Sequence, residues 1–79
     1  MRDFCEYLVK NLVDNPDKVD VSETEDEYQT VMLTITVDPL DMGKVIGKEG
    51  KIIKAIRDLV KILAVKEQKR VNVILAEAA

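Results

Sequence analysis

The sequence predicts a small α+β domain in which the elements follow the order α-β-β-α-α-β. Apolar residues recur at helical spacing near the N-terminus and after residue 50, and they alternate with polar residues in two extended segments. A Gly-x-x-Gly turn interrupts the second helical region. Because 79 residues provide one hydrophobic core, we expect a single domain over residues 1–79, with a three-stranded sheet and the helices packed on one face.

The first two elements are predicted to be a helix over about residues 2–14 and a strand over about residues 18–23. Apolar residues of the helix lie three and four positions apart, and Cys5 among them is expected to be a small core residue. The helix ends at Asn15-Pro16 because proline disfavours helical geometry in the residue before it. Val19 and Val21 then alternate with polar residues, which is typical of a strand.

The segment YQTVMLTITV, about residues 28–37, is predicted to be the second strand. It is rich in β-branched residues, and its side chains divide between two faces. One face carries Val31, Leu33, Ile35 and Val37, and the other carries Thr30, Met32, Thr34 and Thr36. With the preceding strand it should form an antiparallel hairpin.

Residues 39–66 are predicted to be two helices joined by the Gly-x-x-Gly turn, followed by a strand over about residues 70–76. Asp38-Pro39 is a helix-start signal, so the first helix should run from about 39 to 46. The second helix is expected to bury a broad apolar stripe, and the last strand alternates at Val71, Val73 and Leu75. The stripe comprises Ile52, Ala55, Ile56, Leu59, Val60 and Leu63.

The turn Gly47-Lys48-Glu49-Gly50 has the features of a phosphate-binding element. Gly47 can adopt the left-handed conformation that ends a helix, and Gly50 leaves the backbone bare where the next helix begins. The free N–H groups and the positive end of the helix dipole favour an anion there. Four lysines surround the turn: Lys44, Lys48, Lys51 and Lys54.

Plainer interpretations of the same residues stay open. The two glycines can simply make a tight connection between two helices, since the spacing alone has little specificity. The spacings of Lys54 and Lys61 to Asp58 suit ion pairs along the helix, so part of the lysine row can serve only to solvate it.

The composition argues against enzyme chemistry. The chain has no histidine, one cysteine and one serine, which removes the commonest general base and the commonest metal ligand. We therefore expect no catalytic residue, no metal and no cofactor. The acidic N-terminus and the lack of a long apolar run predict a cytoplasmic protein without a signal peptide or membrane span.

The charges are distributed unevenly along the chain. Residues 1–41 carry 3 basic and 11 acidic side chains, whereas residues 42–79 carry 9 basic and 4 acidic ones. Because local patches set the field near a surface, the C-terminal half is expected to present an anion-binding surface although the net charge is -3.

These motifs resemble a known family. The run VIGKEGKII, residues 45–53, resembles the signature of a KH domain, and the element order looks like the type II, bacterial arrangement. DMGKVIGKEGKIIKAIR followed by KRVNV is similar to the KhpA-like family of small bacterial RNA-binding proteins with a single KH domain. This resemblance spans nearly the whole chain.

The resemblance implies a clamp for about four nucleotides of single-stranded RNA, with the bases in a groove between the two helices and a sheet edge. In this chain the clamp would be Gly47, Lys48, Glu49 and Gly50, flanked by Lys44, Lys51 and Lys54. Ile46, Ile53 and either Ala55 or Ile56 would be groove wall or core, which the sequence does not divide. The three aromatic residues are too few for a base-stacking platform.

Glu49 departs from the basic residues frequent in such clamps, and it predicts weak, salt-sensitive binding with little sequence preference. The resemblance further implies self-association into a homodimer, a larger KhpB-like RNA-binding partner, and a role as an RNA chaperone or post-transcriptional regulator linked to cell shape and cell-wall biogenesis. The alternative is a KH-fold interaction module with weak intrinsic RNA affinity, which works through that partner.

Overall fold

The computed structural model describes residues 1–78 of the chain. It confirms the predicted α+β fold and the order α-β-β-α-α-β. Short 3-10 turns precede β1, α2 and α3 at Pro16–Lys18, Pro39–Asp41 and Lys48–Gly50. The helices and strands are α1 (Arg2–Lys10), β1 (Asp20–Glu25), β2 (Thr30–Val37), α2 (Met42–Ile46), α3 (Lys51–Lys66) and β3 (Arg70–Glu77).

The three strands form one mixed sheet with β2 in the centre. β1 pairs antiparallel with β2, as predicted, and places Val21 opposite Ile35. β3 pairs parallel with β2 and places Val73 beside Leu33. The sheet order β1-β2-β3 therefore leaves β1 and β3 as the two edges.

The core lies on one face of the sheet. Every second residue of β2 is buried, in the alternation that the sequence predicts. From α1, Cys5 and Val9 are fully buried against this face, and burial raises the pKa of the Cys5 thiol to about 11. Within residues 1–78, no helix combines the length and the apolar composition that a membrane crossing requires.

The buried stripe of α3 is rotated from the predicted one. Ile56 and Val60 are buried as expected, but the predicted core residues Ala55 and Leu59 are exposed, Leu59 by 44%. Their place in the core is taken by Ile53 and Ala64. The helix is apolar on more than one side, so its periodicity alone does not decide which of two overlapping stripes faces the sheet.

The N-terminal helix is shorter than predicted. α1 ends at Lys10 rather than near residue 14, and β1 begins at Asp20 rather than near residue 18. The side-chain amide of Asn11 donates a hydrogen bond to the Tyr7 carbonyl at 2.7 Å, which satisfies one of the last carbonyls of the helix. Residues 11–19, which connect α1 to β1, therefore lie outside both elements and can approach α2.

Candidate functional site

The start of α2 is fixed by a buried carboxylate. Asp41 is 1% exposed and accepts hydrogen bonds from the backbone N–H groups of Asp14 and Asn15, at 3.2 and 3.0 Å, and from the Asn15 side-chain amide at 3.2 Å. Burial alone would raise the pKa of this carboxyl. The hydrogen bonds, together with the nearby Lys44 ammonium, outweigh burial and hold the pKa below its ordinary value. The loop after α1 is thereby tied to α2.

The end of α2 is set by Gly47. Its backbone has φ 78° and ψ 175°, a conformation that is almost exclusive to glycine. A Cβ at this position would lie 2.5 Å from Cγ1 of Ile52. Gly47 thus ends the helix at positive φ, but with an extended ψ rather than in the left-handed helical conformation that we expected from the sequence.

The left-handed helical residues of the turn are Glu49 and Gly50. Glu49 has φ 59° and ψ 23°, which is uncommon for a residue with a side chain, and Gly50 has φ 72° and ψ 16°. Gly50 caps the N-terminus of the sixteen-residue α3, and a Cβ built there would meet nothing within 4 Å. The backbone at Gly50 is therefore open to close approach at the positive end of the α3 dipole.

The lysines around the turn are not equivalent. The Lys44 ammonium binds the Asp14 carboxylate, and this hydrogen bond raises the pKa of Lys44 above its ordinary value. Lys51 lies 3.8 Å from the Glu49 carboxylate. Among residues 1–78, neither Lys48 nor Lys54 has a carboxylate within 4.0 Å. Two of the four predicted cations are therefore available for a ligand without breaking an ion pair.

The structure shows which aliphatic residues near the turn lie at the surface and which lie in the core, a distinction that the sequence did not make. Ile46 is 36% exposed at the end of α2, directly before the turn. Ala55 is exposed on α3. Ile53 and Ile56, by contrast, are 8% and 4% exposed and belong to the hydrophobic core. Of this set, Ile46 and Ala55 lie at the surface, whereas Ile53 and Ile56 pack in the hydrophobic core.

A groove of about 410 Å³ runs between α3 and the edge strand β3. The Arg57 guanidinium donates a hydrogen bond of 3.4 Å to the Val73 carbonyl across this groove. The predicted ion pairs of Asp58 with Lys54 and Lys61 are absent from the described part of the chain, because neither ammonium lies within 4.0 Å of a carboxylate. The groove is lined by Lys54, Arg57, Asp58, Lys61, Val71, Asn72 and Val73.

Two groove residues were not identified from the sequence. Arg57 could have been found, because Lys54, Arg57 and Lys61 lie three and four positions apart and so share one side of α3. Asn72 gives no such signal, since it reaches the groove only because β3 is an edge strand beside α3. Together the turn and the groove offer an open backbone, cations that have no carboxylate within 4.0 Å in the described part of the chain, and a mixed polar and aliphatic surface.

The sequence matches known proteins over nearly its whole length. A family model described as KhpA/KhpB, KH domain, matches residues 2–75. The chain is 55% identical over 73 residues to the RNA-binding protein KhpA of Clostridium acetobutylicum, covering 92% of this chain and 96% of that protein. It is 51% identical over 73 residues to KhpA of Caldanaerobacter subterraneus subsp. tengcongensis, with the same coverage. It is 46% identical over 71 residues to KhpA of Aquifex aeolicus, covering 90% of this chain and 89% of that protein.

Among solved structures, the fold is similar to part of the protein Era. A structure of Aquifex aeolicus Era bound to GDP and aluminium fluoride matches 99% of this chain with a TM-score of 0.64 at 17% identity. The chain spans 30% of that Era chain. A structure of Era in complex with MgGDPNP and a segment of 16S ribosomal RNA matches 96% of this chain with a TM-score of 0.61, also at 17% identity. At this identity the likeness concerns the fold alone.

Proposed function

Because this chain belongs to the KhpA/KhpB family of KH domains, we propose that it binds single-stranded RNA and acts by binding rather than by catalysis. The observation that carries the proposal is the open backbone at Gly50 beside Lys48 and Lys54. Neither lysine has a carboxylate within 4.0 Å among residues 1–78, and Lys54 also lines the groove on α3. The relatives named RNA-binding protein KhpA cover nearly its whole length, which supports the same function here.

In the proposed complex the turn holds the RNA backbone. A phosphate can approach Gly50 closely because no side chain projects there, and the α3 dipole favours its charge. Lys48 and Lys54 supply the mobile positive charges, and among residues 1–78 neither has to leave a carboxylate first. Such contacts recognise phosphate and carry no sequence information, so binding should be salt-dependent and weakly selective.

The bases would lie in the groove between α3 and β3. The residues that line it include no aromatic side chain, so bases would contact aliphatic surface, polar side chains and the edge of the sheet. Arg57 and Asn72 are the groove residues best suited to hydrogen-bond base edges. Arg57 would exchange its bond to the Val73 carbonyl for a contact to RNA.

Glu49 limits the affinity in this proposal. A carboxylate about 6 Å from a phosphate costs roughly 0.7 kcal/mol in a water-like dielectric, which is about a threefold loss of affinity. Lys51 lies 3.8 Å from Glu49 and offsets part of that repulsion, but it is then partly neutralised as a phosphate ligand. The clamp should therefore bind weakly by itself.

A weak clamp suits a protein that works with others. We propose that this chain associates with a second RNA-binding chain, either its own copy or a KhpB-like partner, so that two clamps act on one RNA. The roles as an RNA chaperone or regulator, the link to cell shape and cell wall, and the cytoplasmic location stay predictions from the family resemblance.

The proposal is tested by titrating labelled single-stranded RNA at low and at moderate salt. Lys48→Asp with Glu49→Asp should lower the affinity at least about tenfold, because it removes the clamp cation and adds charge repulsion. The matched control is Lys66→Asp with Glu67→Asp, which alters the same dipeptide at the other end of α3. It should change the affinity about threefold or less.

Three outcomes can be distinguished. Loss of binding in the clamp variant alone supports the clamp. Equal loss in both variants would indicate a diffuse electrostatic interaction, and unchanged affinity in a folded clamp variant would refute the assignment. Failure of the unaltered protein to bind RNA at low salt would favour the alternative, an interaction module that depends on its partner.

A further inference from the structure

Two of the four lysines around the turn are held by carboxylates, and these carboxylates come from different parts of the chain. Glu49 belongs to the turn itself, and its carboxylate lies 3.8 Å from the Lys51 ammonium two residues later. Asp14 belongs to the connection between α1 and β1, thirty positions before Lys44, and its carboxylate binds the Lys44 ammonium. The pairing of Lys44 therefore depends on the tertiary structure.

The backbone of Asp14 is held in place by the buried Asp41. The Asp14 N–H donates a hydrogen bond of 3.2 Å to the Asp41 carboxylate. The next residue, Asn15, donates two more, at 3.0 Å from its backbone and at 3.2 Å from its side-chain amide. These bonds use the backbone of Asp14 and leave its carboxylate to bind Lys44. The loop thus presents a carboxylate to α2 from a fixed position.

The pair of Asp14 and Lys44 can open at little cost. The two side chains are 74% and 45% exposed, and ion pairs that are exposed to water contribute little to stability. Lys44 lies three residues before Gly47, which corresponds to about 4.5 Å along the axis of α2. Its long, flexible side chain can span that distance. Lys44 therefore has two alternative partners, the Asp14 carboxylate and a phosphate held at the turn.

We propose that Asp14 is a positioning residue that withholds Lys44 from the RNA and so keeps the affinity of the clamp low. This inference rests on the proposed RNA binding. It adds that a residue outside the clamp sets the number of cations that the turn offers. Lys48 and Lys54 act while the pair is closed, and Lys44 joins them when it opens. A contact that draws Asp14 away from Lys44 would strengthen the grip on RNA.

The experiment titrates an RNA of four adenylates into the full chain at several salt concentrations and follows the backbone amide signals. Four nucleotides fill about one KH clamp, so the advantage of two linked clamps on a longer RNA does not enter. The test variant is Asp14→Asn, which removes the charge and keeps the shape. The matched control is Asp17→Asn, because Asp17 is an exposed acid of the same connection with no cation within 4.0 Å among residues 1–78.

The decisive comparison repeats the test substitution in a Lys44→Ala background. Asp14→Asn alone should raise the affinity about threefold, the scale of one exposed ion pair, and should steepen the salt slope by about 0.7, the value for one further phosphate contact. In the Lys44→Ala background the same substitution should leave the affinity and the slope near those of that background. Asp17→Asn should change both little. The methylene signals next to the Lys44 ammonium should respond to RNA more strongly in Asp14→Asn than in the unaltered protein.

Other results would overturn the inference. An unchanged affinity of Asp14→Asn, while the unaltered protein binds the RNA and the Lys48→Asp and Glu49→Asp variant does not, would show that Lys44 is not withheld and would leave the clamp intact. A gain that persists in the Lys44→Ala background, or that Asp17→Asn reproduces, would indicate a general effect of negative charge. A loss of affinity in Asp14→Asn would make Asp14 a support of the site. No binding of this or a longer RNA by the unaltered protein would instead reject the proposed function.

Discussion

The two ends of α2 use their polar groups in opposite ways. At the N-terminal end, the Asp41 carboxylate is buried and accepts three hydrogen bonds, and Asp14 holds the Lys44 ammonium. At the C-terminal end, the turn that follows the helix leaves the backbone at Gly50 open, and Lys48 has no carboxylate within 4.0 Å among residues 1–78. One end is satisfied by the protein itself, and the other is open, which is where we propose that RNA binds.

This difference shows how a five-residue helix can carry a binding loop. Such a short helix has little stability of its own, so its position depends on contacts with the rest of the chain. The Asp41 hydrogen bonds reach the loop after α1 across 26 and 27 positions in sequence and anchor the first end. The anchored end can then hold the strained turn, in which three residues have positive φ.

The largest effect should come from removing the anchor. Asp41→Ala removes a buried side chain and leaves the partly buried N–H groups of Asp14 and Asn15 without their acceptor, so the melting temperature should fall on the order of 10 °C. Asp41→Asn keeps the shape and one acceptor oxygen, and it should cost clearly less. Thermal unfolding followed by circular dichroism measures both. A melting temperature within a few degrees of the unaltered protein for Asp41→Ala would disprove the anchoring role.

The same anchor predicts a pH dependence. The pKa of Asp41 is lowered in the folded protein, so its ionised form stabilises the fold above the ordinary carboxyl pKa of about 3.9. This stabilisation is lost as the pH falls below that value and through the folded pKa. Asp41→Asn should therefore lose less stability than the unaltered protein between neutral and strongly acidic pH in urea titrations.

An intermediate effect should separate the two glycines of the turn. Gly47→Ala should destabilise the protein by about 2 kcal/mol, because it combines a disfavoured backbone with a clash against Ile52. Gly50→Ala meets open space and pays only the cost of a left-handed residue, about 1 kcal/mol. Urea unfolding gives both values. The order would be reversed if Gly50 were the more tightly packed of the two.

The smallest effect should distinguish the paired lysine from the unpaired one. Lys48→Ala should lower RNA affinity about threefold and reduce the salt slope by about 0.7, the value for one phosphate contact to a single strand. Lys44→Ala should change affinity less than twofold, because Lys44 is already bound to Asp14. Both variants remove one positive charge, so each is the control for the other. Equal salt slopes would mean that Lys44 also reaches the RNA.

Much of the fold was predictable because it is encoded locally. The alternation of β2, the Asp38 cap and the two glycines of the turn each depend on neighbouring residues, and these features indicated the element order and the family. The cap begins a 3-10 turn at Pro39–Asp41, however, so α2 starts at Met42 rather than near residue 39. The least predictable element was α3. Its residues 52–65 are apolar on several sides, so the exposure of Ala55 and Leu59 followed from how the helix sits on the sheet.

The candidate site likewise combines features that the sequence predicts with features that only the tertiary structure decides. The sequence by itself determined the Gly-x-x-Gly turn, its lysines and the basic C-terminal half, because spacing and composition express them directly. Only the tertiary structure decided that Lys44 is bound by Asp14 while Lys48 is not, that Asp41 is an anchor, and that Asn72 joins Arg57 in one groove. These relations join residues far apart in the chain, and short-range polar contacts form only between groups that the packing of the sheet and helices has brought within reach.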